Sequence, residues 1–107
     1  MRVILLNGLP LSIIPYSKFT LEVNRIDVDQ LAEIIASSTE VKNYIRHTAT
    51  VDVLNILLKT SLKPSAENYA YKEGDTIVVI TVKNVIRGQE MTVKPEDLDI
   101  FVVRVHH

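Results

Sequence analysis

Val3-Ile4-Leu5-Leu6-Asn7-Gly8-Leu9-Pro10-Leu11-Ser12 opens the chain with four consecutive aliphatic residues and a turn pair. An unbroken apolar run of this kind suits a strand buried on both faces, as in a sheet with helices packed on it. Asn7-Gly8 breaks the run, and Leu9 to Ser12 leave the sheet as a loop. In an α/β sheet the loop leaving a strand's carboxyl end is a favoured place for a ligand. Asn7 is therefore either a turn former or a polar ligand contact.

The remainder supplies partners for that strand. Phe19, Leu21 and Val23 alternate with Thr20, Glu22 and Asn24, the period of a half-buried strand. Asp27-Val28-Asp29-Gln30 reads as a capping box, with Val28, Leu31, Ile34 and Ile35 on one face of a helix over 28–36. Ser37-Ser38-Thr39-Glu40 repeats the capping logic and predicts a second helical stretch carrying Val41, Tyr44 and Ile45. Thr48 to Lys59 is the strongest helical pattern. Val51, Leu54, Leu57 and Leu58 form its stripe, Val53 and Ile56 widen it, and Thr48 is a candidate cap. Asn68 to Tyr71 predicts a strand that the Glu73-Gly74-Asp75 turn pairs with Thr76–Val82, the Ile- and Val-rich central strand. Lys83 to Glu90 reads as a polar loop around Gly88. Lys94 to Leu98 fits a short helical turn with Pro95 near its start, and Ile100 to Val105 is a closing strand. The expectation is an α/β fold: one small domain over 1–107, a mixed sheet of about five strands with helices packed on it.

Composition narrows the chemistry. Hydrophobic residues make up 47% of the 107, without a run approaching a membrane span. The first six residues are too short for a signal-peptide core. No cysteine is present, so neither a disulfide nor a thiolate metal site is expected, and one interior histidine argues against a histidine-based metal centre. The net charge of −1 lacks the broad positive field that drives binding to long nucleic acids. The sequence reads as cytosolic, soluble and free of metal and cofactor, with a small anion in a local pocket still open.

That interior histidine, His47, stands at the mouth of the long helix in Asn43-Tyr44-Ile45-Arg46-His47-Thr48-Ala49-Thr50. First-turn N–H groups and the helix dipole favour an anion there. A bound phosphate would raise the imidazole pKa toward working pH, the condition for a general acid acting on a phosphate ester. The plainer alternative is a partly buried structural histidine. Arg46 either clamps a phosphate beside it or lies on the surface. Arg87-Gly88-Gln89-Glu90 either places a charge-stabilising arginine and a proton-accepting glutamate at a phosphate or forms a solvated turn. No Gly-rich phosphate loop, Ser or Cys nucleophile arrangement or paired-carboxylate spacing appears.

Two blocks carry a resemblance. Val3 to Ser12 resembles the opening strand and Asn-containing loop of the small viral ring nucleases, the type III anti-CRISPR proteins of archaeal viruses and phages. Ile45-Arg46-His47-Thr48-Ala49-Thr50, with Val53-Leu54 and Leu57-Leu58 behind it, resembles their Ile-Gly-His-x-(Ala/Ser)-Thr block and apolar helix. The Gly74-Asp75 turn and the strands around it follow in the same order. The resemblance implies a homodimer, in the cytoplasm of an infected cell, binding cyclic tetra-adenylate across its two-fold interface. It also implies metal-independent cleavage: a ribose 2′-hydroxyl attacks the adjacent phosphorus, and His47 protonates the departing 5′-oxygen. Arg87 and Glu90 keep the family's Arg-x-x-Glu spacing and would assist catalysis. Asn7, Gly8, Leu9, Ser12, Arg46 and Thr81 would contact the ligand.

The chain departs from that pattern in places. Arg46 stands where the family has glycine, Ser65-Ala66 falls near its Asn-Arg pair, and Thr81 stands where a glutamine is expected. Arg87 and Glu90 align after a slightly longer loop. Arg46 is accordingly expected to replace a lost phosphate contact. Two other classes stay open: a sponge that binds the ring without cutting it, and a small DNA-binding dimer, which the near-neutral charge disfavours.

Overall fold

The computed structural model describes residues 1–83 and 94–107. Five strands form one mixed sheet in the order β2-β5-β4-β1-β3. They are β1 (Arg2–Leu6), β2 (Thr20–Ile26), β3 (Glu40–Asn43), β4 (Thr76–Val82) and β5 (Leu98–His106). β1 runs parallel to both β3 and β4, whereas β5 lies antiparallel between β4 and β2. The helices are α1 (Val28–Ser37) and α2 (Thr48–Leu58), with short 3-10 turns at Leu11–Ile13 and Pro95–Asp97. The expected five-stranded α/β architecture is the one found. Among the described residues no helix is long and apolar enough to cross a membrane.

Alternation along the strands divides the core in two. Val3, Leu5, Val78, Ile80, Leu98, Ile100 and Val102 face Leu31 of α1 and Val51 and Leu54 of α2. Ile4, Leu6, Ile77, Val79 and Val103 face the other way, onto Ile14, Tyr69 and Tyr71. Both faces are covered, which is why β1 and the core of β4 read as continuous apolar runs.

α1 begins at the predicted box: the Gln30 amide donates to Asp27 Oδ1 at 2.8 Å, and the Asp27 amide to Gln30 Oε1 at 3.0 Å. The turn before β4 needs Gly74, whose φ of +91° is one that side chains rarely tolerate.

Four local expectations fail. Glu40–Asn43 is the edge strand β3, not a second helix. The Ser37 and Ser38 hydroxyls donate back to the Ile34 and Ile35 carbonyls and so close α1. Val41 and Ile45 face the helices while Tyr44 faces the opposite layer, a strand period too short to recognise among capping residues. Asn68–Tyr71 is not a strand either, because β1 and β5 already occupy both sides of β4. The alternation there is real: Tyr69 and Tyr71 are buried and their neighbours exposed, with the Tyr71 amide bonded to the Ile13 carbonyl at 2.9 Å. The segment packs across the sheet instead of joining it. Ile56 does not widen the α2 stripe; it is 77% exposed, two residues from Leu54 and so on the far side of the helix. Val23, expected to face inward, is 54% exposed on the edge strand β2.

Candidate functional site

β1, β3 and β4 are parallel, so their carboxyl ends lie along one rim of the sheet. Two clefts open there. The larger has a volume of about 880 Å³. Asn7, Gly8, Leu9 and Ser12 of the loop leaving β1 form one wall, Tyr44 and Arg46 a second, and Glu67 to Ala70 a third. The smaller, about 320 Å³, is lined by Asn7, His47, Thr50, Ile80, Thr81 and Val82. Asn7 belongs to both.

The structure thus brings seven of the expected site residues to this rim and divides them. Asn7, Gly8, Leu9, Ser12 and Arg46 line the larger cleft, and His47 and Thr81 join Asn7 in the smaller. Arg87 and Glu90 lie outside the described residues. Asn7 is exposed in the bend after β1, and a Cβ placed on Gly8 would meet nothing within 4 Å. The loop is open for a ligand to approach its backbone.

Arg46 is the last residue before the helix cap, and it is exposed. Its Nη2 donates to Asn68 Oδ1 at 3.0 Å, an amide that orients the guanidinium without neutralising it. Glu67, on the same wall, has Lys42 Nζ 4.0 Å from its carboxylate. The two walls are fastened beneath by Asn43, whose amide donates to the Lys63 carbonyl at 2.9 Å, and by the Ser65 amide bonded to the Ile45 carbonyl at 3.0 Å.

His47, not Thr48, is the N-cap of α2, with extended backbone and no side-chain bond to a backbone amide. Nδ1 lies instead 3.1 Å from Thr50 Oγ1. His47 is exposed at the helix entry, while its contact with Thr50 is partly buried.

A partly buried polar staple holds Tyr69, one of the residues lining the larger cleft. Arg2, at the start of β1, donates from Nε and Nη2 to Asp75 at 2.8 and 2.6 Å, and the Tyr69 hydroxyl donates to the same carboxylate. Burial pushes the Asp75 carboxyl up, but the bonds from Arg2 and Tyr69 outweigh it and hold it below its ordinary value. Burial and the bond to Asp75 push the Tyr69 phenol up. Tyr69 thereby forms a fixed wall, its ring 5.2 Å from that of Tyr44. Among the described residues no group of three or more His, Asp or Glu side chains is placed to hold a metal ion.

Sequence reasoning missed Asn68, Tyr69 and Asn43 as parts of the site. Alternation over 68–71 marked an extended segment but not where it packs, and Asn43 acts through contacts twenty residues away.

The fold is shared with B116 of Sulfolobus turreted icosahedral virus. That structure aligns over 96% of this chain and 98% of its own, with a TM-score of 0.76 and 18% identity. No curated protein matches the sequence. The model of the STIV B116-like family matches residues 3–103. With nearly the whole sequence inside that match and the viral fold around it, the chain belongs to the STIV B116-like family.

Proposed function

We propose that this protein is a metal-independent phosphodiesterase that opens cyclic tetra-adenylate and so switches off type III CRISPR signalling in the cytoplasm of an infected cell. The observation that carries the reading is the meeting of Asn7, Arg46 and His47 at one rim of the sheet, in two clefts that share Asn7. Arg46 supplies a positive charge for a phosphate, and His47 supplies a proton donor at a helix mouth that itself favours an anion.

The substrate brings its own nucleophile. A ribose 2′-oxygen passes its proton to the Glu90 carboxylate, the proton acceptor in this reading, and bonds to the adjacent phosphorus in line as the P–O5′ bond breaks. Nε2 of the His47 imidazolium gives its proton to the departing 5′-oxygen, which would otherwise leave as a costly alkoxide. Arg87 and Glu90 are assigned to the scissile phosphate, the first against charge and the second in proton transfer. Two such cuts turn the ring into linear di-adenylate with a 2′,3′-cyclic phosphate end. A homodimer would present one His47 and one Arg46 from each protomer to a ligand of matching two-fold symmetry.

A sponge that holds the ring without cutting it is the second reading, favoured by the placing of His47 in the smaller cleft, apart from most of the expected ligand contacts. Incubation with cyclic tri-, tetra- and hexa-adenylate in the presence of a chelator, with His47→Ala alongside, separates the two. The enzyme cleaves the tetra-adenylate ring with chelator present and His47→Ala does not. Tight binding with every ring intact assigns the sponge, and cleavage abolished by chelator refutes the metal-free mechanism.

A further inference from the structure

Thr50 is the one polar residue counted within the core among the described residues, at 2% exposure. It is the third residue of α2 and is followed by Val51, fully buried against the sheet. Valine has the same shape and would fill this position with no hydroxyl to satisfy, whereas an unpaired buried hydroxyl costs about 1–3 kcal/mol. The hydroxyl does not cap the helix. Among the described residues its one partner is the imidazole of His47, with Nδ1 3.1 Å away, and Nε2 has no hydrogen-bond partner. Both residues line the smaller cleft with Asn7 and Thr81.

The geometry points to Thr50 as the positioning residue for His47: its hydroxyl holds Nδ1 and fixes the ring, leaving Nε2 as the nitrogen that gains and loses the proton at the cleft. This rests on the reading of His47 as the general acid. In the imidazolium Nδ1–H donates to Thr50 Oγ1 while Nε2–H faces the departing oxygen. When Nε2 hands over its proton, the Nδ1–H···Oγ1 bond is unchanged, so the ring neither turns nor seeks a new partner during the step. An N-cap residue with extended backbone has no helical neighbour on its N-terminal side to restrict its rotamer. Without the hydroxyl the imidazole would sample several orientations, only one of them productive.

The test compares Thr50→Val, which keeps shape and burial, with Thr50→Ser, which keeps the hydroxyl. Two readouts are taken after thermal melts have confirmed folding. The first is the ring Nδ1–H resonance of His47 in ¹⁵N-labelled protein at acidic pH, assigned by its absence from His47→Ala. It is expected in the unaltered protein and in Thr50→Ser, protected from exchange by the bond, and absent from Thr50→Val. The second is turnover of cyclic tetra-adenylate: Thr50→Val lowers kcat about tenfold, the worth of one hydrogen bond in the reacting complex, with KM unchanged. Thr50→Ser restores most of it. A protected resonance that survives in Thr50→Val, or that is absent from the unaltered protein, overturns the inference. So does a Thr50→Ser protein as slow as Thr50→Val. Should the unaltered protein cleave no ring, the acid role of His47 fails, and the resonance alone decides whether Thr50 holds the imidazole.

Discussion

Arg46 and His47 are neighbours in sequence, yet they line different clefts. His47 keeps an extended backbone, and only with Thr48 does the helix begin. Arg46 turns toward the segment at Asn68, and His47 turns toward Thr50. With an amide rather than a carboxylate as its partner, the guanidinium keeps its charge available to a phosphate. Arg46→Ala is therefore expected to weaken binding of cyclic tetra-adenylate at least tenfold, the loss of one charge-assisted hydrogen bond of about 1.5–3 kcal/mol. It should also flatten the salt dependence, both read by calorimetry across a salt series. Unchanged affinity and turnover would remove Arg46 from the site. His47, Arg46 and the Asn7 loop were legible in sequence because each lies in a short block with its own turn or helix signal. Asn68 and Thr50 were not, since each acquires meaning through a partner that only the folded chain supplies.

Asp75 joins the amino end of β1 to the turn that feeds β4, and through Tyr69 it also braces the extended segment on the far face. Removing its charge leaves Arg2 without its partner. Asp75→Asn is expected to cost about 2–3 kcal/mol at neutral pH in urea unfolding. The sign of the acid dependence follows from the depressed carboxyl. Stability from Asp75 is fully present above its unfolded value of about 3.9 and is lost as pH falls through the lower folded one. The gap between the two proteins should narrow below about pH 4, and equal stability at pH 7 would show the staple to be idle. The elements themselves were read well where a pattern was long. β1, α1, α2, β4 and β5 stand close to where periodicity put them. β3 and the 68–71 segment were misread because four residues cannot display a period against strong capping signals, and because pairing depends on which strand edges are still vacant.

Parallel strands β1, β3 and β4 place their carboxyl ends together, and from that single fact the loop at Asn7, the guanidinium at Arg46 and the imidazole at His47 share one rim. The antiparallel half of the sheet, β5 and β2, contributes packing and a charged edge, where Arg25 pairs with Asp99 and its guanidinium covers Phe101 at 4.7 Å. In the proposed reaction the candidate site and the antiparallel scaffold would stand at different parts of the molecule, and the substrate would furnish the nucleophile. The end group of the product records whether it does. Mass spectrometry of cyclic tetra-adenylate after reaction with the protein should show di-adenylate carrying a 2′,3′-cyclic phosphate, formed without incorporation of solvent oxygen in ¹⁸O water and absent with His47→Ala. An intact ring, or a product whose phosphate carries solvent ¹⁸O from the first cut, would contradict the account.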